Sequence, residues 1–171
     1  MSSRIDYTKV VPGALRAMYG LEKYLAGSTI EEPLRELVKM RASQMNGCAY
    51  CIDMHSKDAR AHGESEQRLY GLSAWREAPY YTERERAALA WTEELTLIAE
   101  NHVSDEVYEQ TRRQFSEQEI VDLTLAVVTI NAWNRMPSVF VQRLAHTSQP
   151  RAVEPNRAVS DPCSGSPSGS H

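Results

Sequence analysis

Cys48 and Cys51 stand three residues apart, and His55 follows four residues after the second of them. On a helix this spacing brings both sulfurs and the imidazole to one face. A cysteine at a helix start meets the positive end of the helix and its unpaired amides, which favour the thiolate. The thiolate is the nucleophile in peroxide reduction and in disulfide exchange, and a CxxC at a helix start closes into a disulfide with little backbone motion. An imidazole one turn on is placed to accept the thiol proton, directly or through a water. Glu36 lies twelve residues before Cys48. Helices over 33–46 and 48–62, joined by the tight turn Asn46-Gly47, should pack as a hairpin. Mirroring about that turn sets Glu36 opposite His55 to Lys57, where a carboxylate orients the imidazole or holds a relay water. It does not set Glu36 against Cys48.

The same residues have plainer readings. A CxxC is half of many zinc sites, and Cys48, Cys51, His55 and Glu36 make four candidate ligands. No second CxxC or close histidine pair follows, however. The cysteines also suit two small buried positions. Glu36 suits an exposed helix face, paired with its neighbours Arg35 and Lys39. His62, beside Gly63, suits the end of its helix. Trp75, Trp91 and Trp133 read as core or interface residues.

The elements that must hold these residues are helices throughout. Pro12 opens a helix to about residue 26, with Leu15, Met18, Tyr19 and Tyr24 as its apolar stripe. Pro33 opens the next, with Leu34, Leu37, Val38, Arg41 and Met45 on one face and Gly47 as its stop. A third runs from Cys48 to Gly63 and a short fourth from Ser65 to Ser73, with a connector over 75–81. Thr82 and Glu85 form a capping box for a helix to about residue 101, carrying Leu89, Trp91, Leu95 and Ile98. Ser104 caps another, and Ser116 with Glu119 forms a second box. The helix over 120–133, IVDLTLAVVTINAW, is apolar on nearly every side and should be central or at a subunit interface. No strand pair, hairpin turn or repeat is visible. The expectation is an all-α single domain of six to seven helices over 5–146. The segment 147–171 has four prolines, six serines and no Leu, Ile, Met or aromatic residue, so it reads as a disordered tail carrying a free Cys163.

Composition narrows the function classes. The chain has 171 residues, 42% hydrophobic and 25% charged, with a net charge of −4. That is length for one domain with a real core. There is no basic stripe for nucleic acid, no apolar run that spans a membrane and no signal-peptide core in MSSRIDYTKV, so a cytoplasmic protein is expected. Three cysteines do not make a secreted disulfide framework. Without a nucleotide loop or metal motif, no bound cofactor is expected.

Glu36 and Cys48-x-x-Cys51-x-x-x-His55, within ELVKMRASQMNGCAYCIDMHSKDAR, resemble the alkylhydroperoxidase D-like group of the carboxymuconolactone decarboxylase family. TERERAALAWTE (82–93) and LTLAVVTINAWNR (123–135) are similar to it too, so the resemblance covers about residues 5–135. It implies a small all-α domain that assembles into trimers or hexamers and reduces hydroperoxides at the expense of a dithiol donor. Carried over by position, Cys51 is the thiol that attacks peroxide and Cys48 the resolving partner and proton donor. His55 is the base that helps deprotonate Cys51, and Glu36 completes the relay. Where the best-characterised members have a histidine between the cysteines, this chain has Tyr50. The expected function is a thiol-dependent peroxidase. The alternatives are a redox-sensing or interaction protein using the same CxxC, or a decarboxylase-type lyase, which has no use for a dithiol.

Overall fold

Caps, prolines and glycines set most helix ends where the sequence puts them. The computed structural model describes residues 4–140, and the tail over 147–171, Cys163 and the domain end at 146 lie outside that range. Helices α1 (Tyr7–Val10) and α2 (Pro12–Ala26) form an N-terminal arm. Then come α3 (Glu32–Met45), α4 (Ala49–Ala61), α5 (Glu66–Gly71), a 3-10 turn (Leu72–Ala74), α6 (Glu83–Thr96), α7 (Ile98–Asn101), α8 (Asp105–Gln114) and α9 (Glu117–Phe140). The described residues contain no strand, and the fold is all-α. Thr82 and Glu85 satisfy each other's backbone amides in a complete capping box, and Ser116 and Glu119 do the same. Gly47 turns the chain between α3 and α4 with φ +65°, a conformation that costs other residues a Cβ clash.

The helix count is higher than six to seven. Among the described residues there are nine α-helices, because α1 precedes Pro12 and a turn at Leu97 splits α7 from α6. Helix α9 also runs seven residues past 133 and keeps Pro137 within it. Near a helix end a proline removes only one backbone bond, so the helix survives it.

Helix α3 is the hub on which α4, α6 and α9 pack. Its Leu34 and Val38 meet Ala88, Trp91, Leu123 and Val127, while Leu37 and Met40 meet Leu72, Trp75 and Leu89. Burying each large side chain contributes about 1.5–3 kcal/mol. Buried polar groups are paired across the same interfaces. Asp122 on α9 accepts from Tyr24 Oη (2.8 Å) and from Thr29 N and Oγ1 (3.1 and 2.9 Å). Asn134 accepts from Asn46 and donates to Ser43 Oγ, each at 2.9 Å.

Two expected faces are corrected. The stripe on α2 is not core: Tyr19 is 62% exposed, Tyr24 is exposed too, and only Leu25 of this helix is buried. Leu15 and Tyr19 of α2 instead line a cavity, described below, while Tyr24 bonds Asp122. Helix α9 is central, yet Val121 (58% exposed) and Val128 (51%) remain on an open face.

Candidate active site

Cys48 is the N-cap residue of α4, in an extended conformation and just outside the helix, whereas the spacing argument placed it on the helix face. Cys51 lies in the first turn, and the two form a disulfide with Cα atoms 5.4 Å apart. Cys48 gives no side-chain cap, so the field and amides of this helix start bear on the dithiol. Both cysteines are buried, 2% exposed. Cys51 nonetheless lines a cavity of about 310 Å³, and Cys48 is not part of that lining.

His55 is one turn past Cys51, buried, and lines the same cavity. Its Nδ1 lies 2.9 Å from Glu36 Oε2 across the α3–α4 hairpin, as mirroring about Asn46-Gly47 predicts. That bond leaves Nε2 as the second ring position at which the imidazole can exchange a proton. Glu36 is buried rather than on an exposed face. Burial pushes its carboxyl up, but the hydrogen bond and charge of His55 and the charge of Lys39 outweigh this and hold it below the usual carboxylate range. Arg35 is not its partner, since Arg35 donates to Ile30 O at 2.9 Å. The structure thus brings together all four residues singled out by spacing: Cys48, Cys51, His55 and Glu36.

Other residues of the site were missed. Lys39 Nζ donates to Glu36 Oε1 (3.2 Å) and reaches Glu22 Oε2 on α2 (3.5 Å). Asp58 completes an acidic group beside His55, its carboxyl raised by burial and by the charge of Glu36. The apolar walls come from Tyr7, Tyr19, Tyr50, Met54 and Trp133, so Trp133 is a lining residue rather than core. Glu22, Tyr7 and Trp133 come from the arm and from α9, and no pattern local to the CxxC points to them. Lys39 was visible as a salt-bridge neighbour of Glu36, without its link to α2.

Metal binding meets a different arrangement from the one the CxxC suggests. Cys48 and Cys51 are bonded to each other, so their sulfurs are not thiolate ligands in this state. Glu36, His55 and Asp58 have ligand atoms within 4.8 Å of one another, but the ammonium of Lys39 already sits against Glu36. His62 closes α4, with its Nδ1 2.8 Å from Asp58 O.

The all-helical fold thus holds a CxxC pair, a histidine one turn on and a buried glutamate opposite it in one site. A profile of the carboxymuconolactone decarboxylase family matches residues 12–94. The chain is 46% identical over 145 residues to the uncharacterised protein YdfG of Bacillus subtilis (strain 168), covering 85% of this chain and 99% of YdfG. A crystal structure from Agrobacterium tumefaciens, of a protein of unknown function named as a candidate antioxidant defence protein AhpD, superposes with TM-score 0.81. It is 45% identical, with 83% of this chain and 97% of that one covered. The debrominase Bmp8 shares the fold at TM-score 0.70 and 22% identity, over 81% of this chain and 75% of its own. This chain belongs to the carboxymuconolactone decarboxylase family.

Proposed function

We propose that the protein is a thiol-dependent peroxidase that reduces hydroperoxides through a Cys48–Cys51 dithiol–disulfide cycle. The observation that carries this reading is the division of labour around the cavity. Cys51 lines it, Cys48 does not, and His55 stands one turn from Cys51 with its Nδ1 held by buried Glu36.

In this cycle His55 takes the Cys51 proton and Glu36 stabilises the imidazolium that results. The thiolate attacks the terminal peroxide oxygen. A sulfur–oxygen bond forms, the oxygen–oxygen bond breaks, and the leaving alkoxide takes a proton to depart as alcohol. Cys51 is then a sulfenic acid, and the Cys48 thiol displaces its hydroxyl as water to close the disulfide. An external dithiol restores both thiols by exchange and is itself oxidised.

The cavity favours a neutral organic hydroperoxide. A closed apolar cavity of about 150 Å³ holds one benzene ring, so this space admits a ring with a side chain. In its lining Glu22 and Asp58 outnumber Lys39 and disfavour a carboxylate-bearing substrate. Assembly into trimers or hexamers also belongs to this reading, supported by the exposed apolar residues of α2 and the Val121/Val128 face of α9. Light scattering on the purified chain checks it. No helix among the described residues is long and apolar enough to cross a membrane.

A second reading uses the same thiols, favoured by the aromatic walls Tyr7, Tyr19, Tyr50 and Trp133. A cysteine-to-alanine variant of the debrominase Bmp8 was solved with 2,3,4-tribromopyrrole. Here a carbon–bromine bond would become carbon–hydrogen while the two thiols lose two protons and two electrons to form the disulfide and bromide leaves. Bromide release from a bromopyrrole tests it.

The deciding experiment follows hydroperoxide consumption by pre-reduced protein with excess dithiol. Wild type should turn over many equivalents, Cys51→Ser none, and Cys48→Ser should stall after one. If wild type consumes no more than the serine variants, the peroxidase reading fails and a redox-sensing disulfide takes its place.

A further inference from the structure

The relay does not end at Glu36. Four side chains from three helices stand in a row: Glu22 on α2, Lys39 and Glu36 on α3, and His55 on α4, with successive contacts of 3.5, 3.2 and 2.9 Å. The Lys39 side chain is 13% exposed, rare for a lysine, whose flexible stem normally keeps its charge in water. The ion pairs alone do not explain it, although the 3.5 Å contact with Glu22 does join α3 to α2. The pair with Glu36 lies at i,i+3 within one helix, and such a pair contributes less than ordering a lysine costs.

Its electrostatic position explains it better. Glu36 carries one negative charge into a buried site beside the thiol. Toward the same space, α4 contributes Asp58 and Tyr50, α2 contributes Glu22 and Tyr19, and α1 contributes Tyr7. From α9 come Ile130, Trp133 and Pro137, none of them ionisable. Among the described residues lining the cavity, Lys39 is the one lysine or arginine, and it sits on the relay carboxylate. Without it, His55 and Cys51 would face uncompensated negative charge, and forming a thiolate there would be harder.

We propose that Lys39 is a positioning residue of the relay: by donating to Glu36 Oε1 it keeps that carboxylate ionised, turned toward His55 and neutralised, so that Cys51 ionises beside a neutral pair. Glu22 holds Lys39 from the far side and ties this function to the docking of α2. The purpose of the device rests on the peroxidase reading, but its test does not. It needs only the ionisation of Cys51, measured without peroxide.

The experiment is the pH dependence of Cys51 alkylation by iodoacetamide in the reduced full-length chain, read by mass spectrometry on the Cys51 peptide. Wild type is compared with Lys39→Met, Lys39→Gln, Lys39→Arg, Glu36→Gln and the double variant Lys39→Met/Glu36→Gln. Lys39→Met and Lys39→Gln should each move the midpoint up by roughly one pH unit, and Lys39→Arg should restore it. In the Glu36→Gln background the lysine change should add little, because the group through which it acts is gone. Using two neutral variants guards against one that fails to fold, with melting by circular dichroism as the check. An unmoved midpoint in the folded neutral variant overturns the proposal. So does a full shift that persists without Glu36, since Lys39 would then act on the thiol directly. Should wild type consume no hydroperoxide while the midpoints move as stated, the peroxidase reading falls and the role of Lys39 stands.

Discussion

Two buried carboxylates, Glu36 on α3 and Glu93 on α6, look alike by burial and differ in company. Both are held below the usual carboxylate range against the upward push of burial. Glu93 accepts from Trp75 Nε1 (2.8 Å), Arg41 Nε (2.7 Å) and Arg76. An indole and two guanidiniums keep their protons throughout the working pH range, so Glu93 can only brace α3 and the Trp75 loop against α6. Glu36 accepts from an imidazole and an ammonium, and both of those donors line a cavity. Its imidazole can give up a proton and take it back. On the proposed reading, what separates a relay from a brace is the chemistry of the donors.

The comparison breaks most readily at Glu36. Glu36→Gln should lower peroxide turnover by about 10²–10⁴-fold, equivalent to roughly 3–5 kcal/mol, with a modest change in melting temperature. Equal losses of stability and activity would make Glu36 a brace as well. Glu93→Ala should do the reverse, costing about 2–4 kcal/mol of stability by stranding Arg41 and the Trp75 indole. The folded fraction should keep its pH–rate profile, as urea unfolding beside kinetics would show.

Acid titration sharpens the contrast. Each carboxyl has its pKa lowered by folding from a usual 4.5. Each therefore adds stability that is fully present above that value and is lost as pH falls through the lower folded one. Glu93→Gln should flatten the loss of stability on the acid side, measured by melting between about pH 3 and 6. Gly47→Ala should cost about 1 kcal/mol through its positive φ. Because Gly47 turns α3 back onto α4, activity should fall further than that cost implies. The smallest effect belongs to the exposed Arg112–Glu109 pair, where Arg112→Ala should leave both the melting temperature and the activity unchanged.

The Glu36–His55 pair was legible because its members lie on two helices joined by one tight turn. There, helical spacing fixes which faces meet, so His55 and Glu36 could be paired by counting from Gly47. The caps at Thr82, Ser104 and Ser116 were legible for a similar reason, each bond spanning three residues. What lay beyond reading came from elements distant in sequence. Tyr19 and Tyr24 fit an apolar stripe, but periodicity does not say what covers a stripe, and Tyr19 turned out to line a cavity. Trp133 looked like core because indoles usually are. Glu22 carried no signal, since its partner lies seventeen residues away on another helix. The split at Leu97 escaped notice because the apolar pattern continues through Ile98, although Ile98 is exposed.

The arm that carries Tyr7 and Tyr19 is fastened at its far end. Arg4 N donates to Phe140 O (3.3 Å), Arg4 Nη1 donates to Val139 O (3.2 Å), and the Tyr7 and Phe140 rings lie 5.3 Å apart. In topological terms the described chain is a loop that nearly closes on itself. Covalently joining residues 4 and 140 by a short linker, and opening new ends in the turn around His102 and Val103, should yield a circular permutant with its helices in the same places. The join would stand three residues from Tyr7 and three from Pro137, both of which line the cavity, so the linker's length would become a handle on that end of its wall.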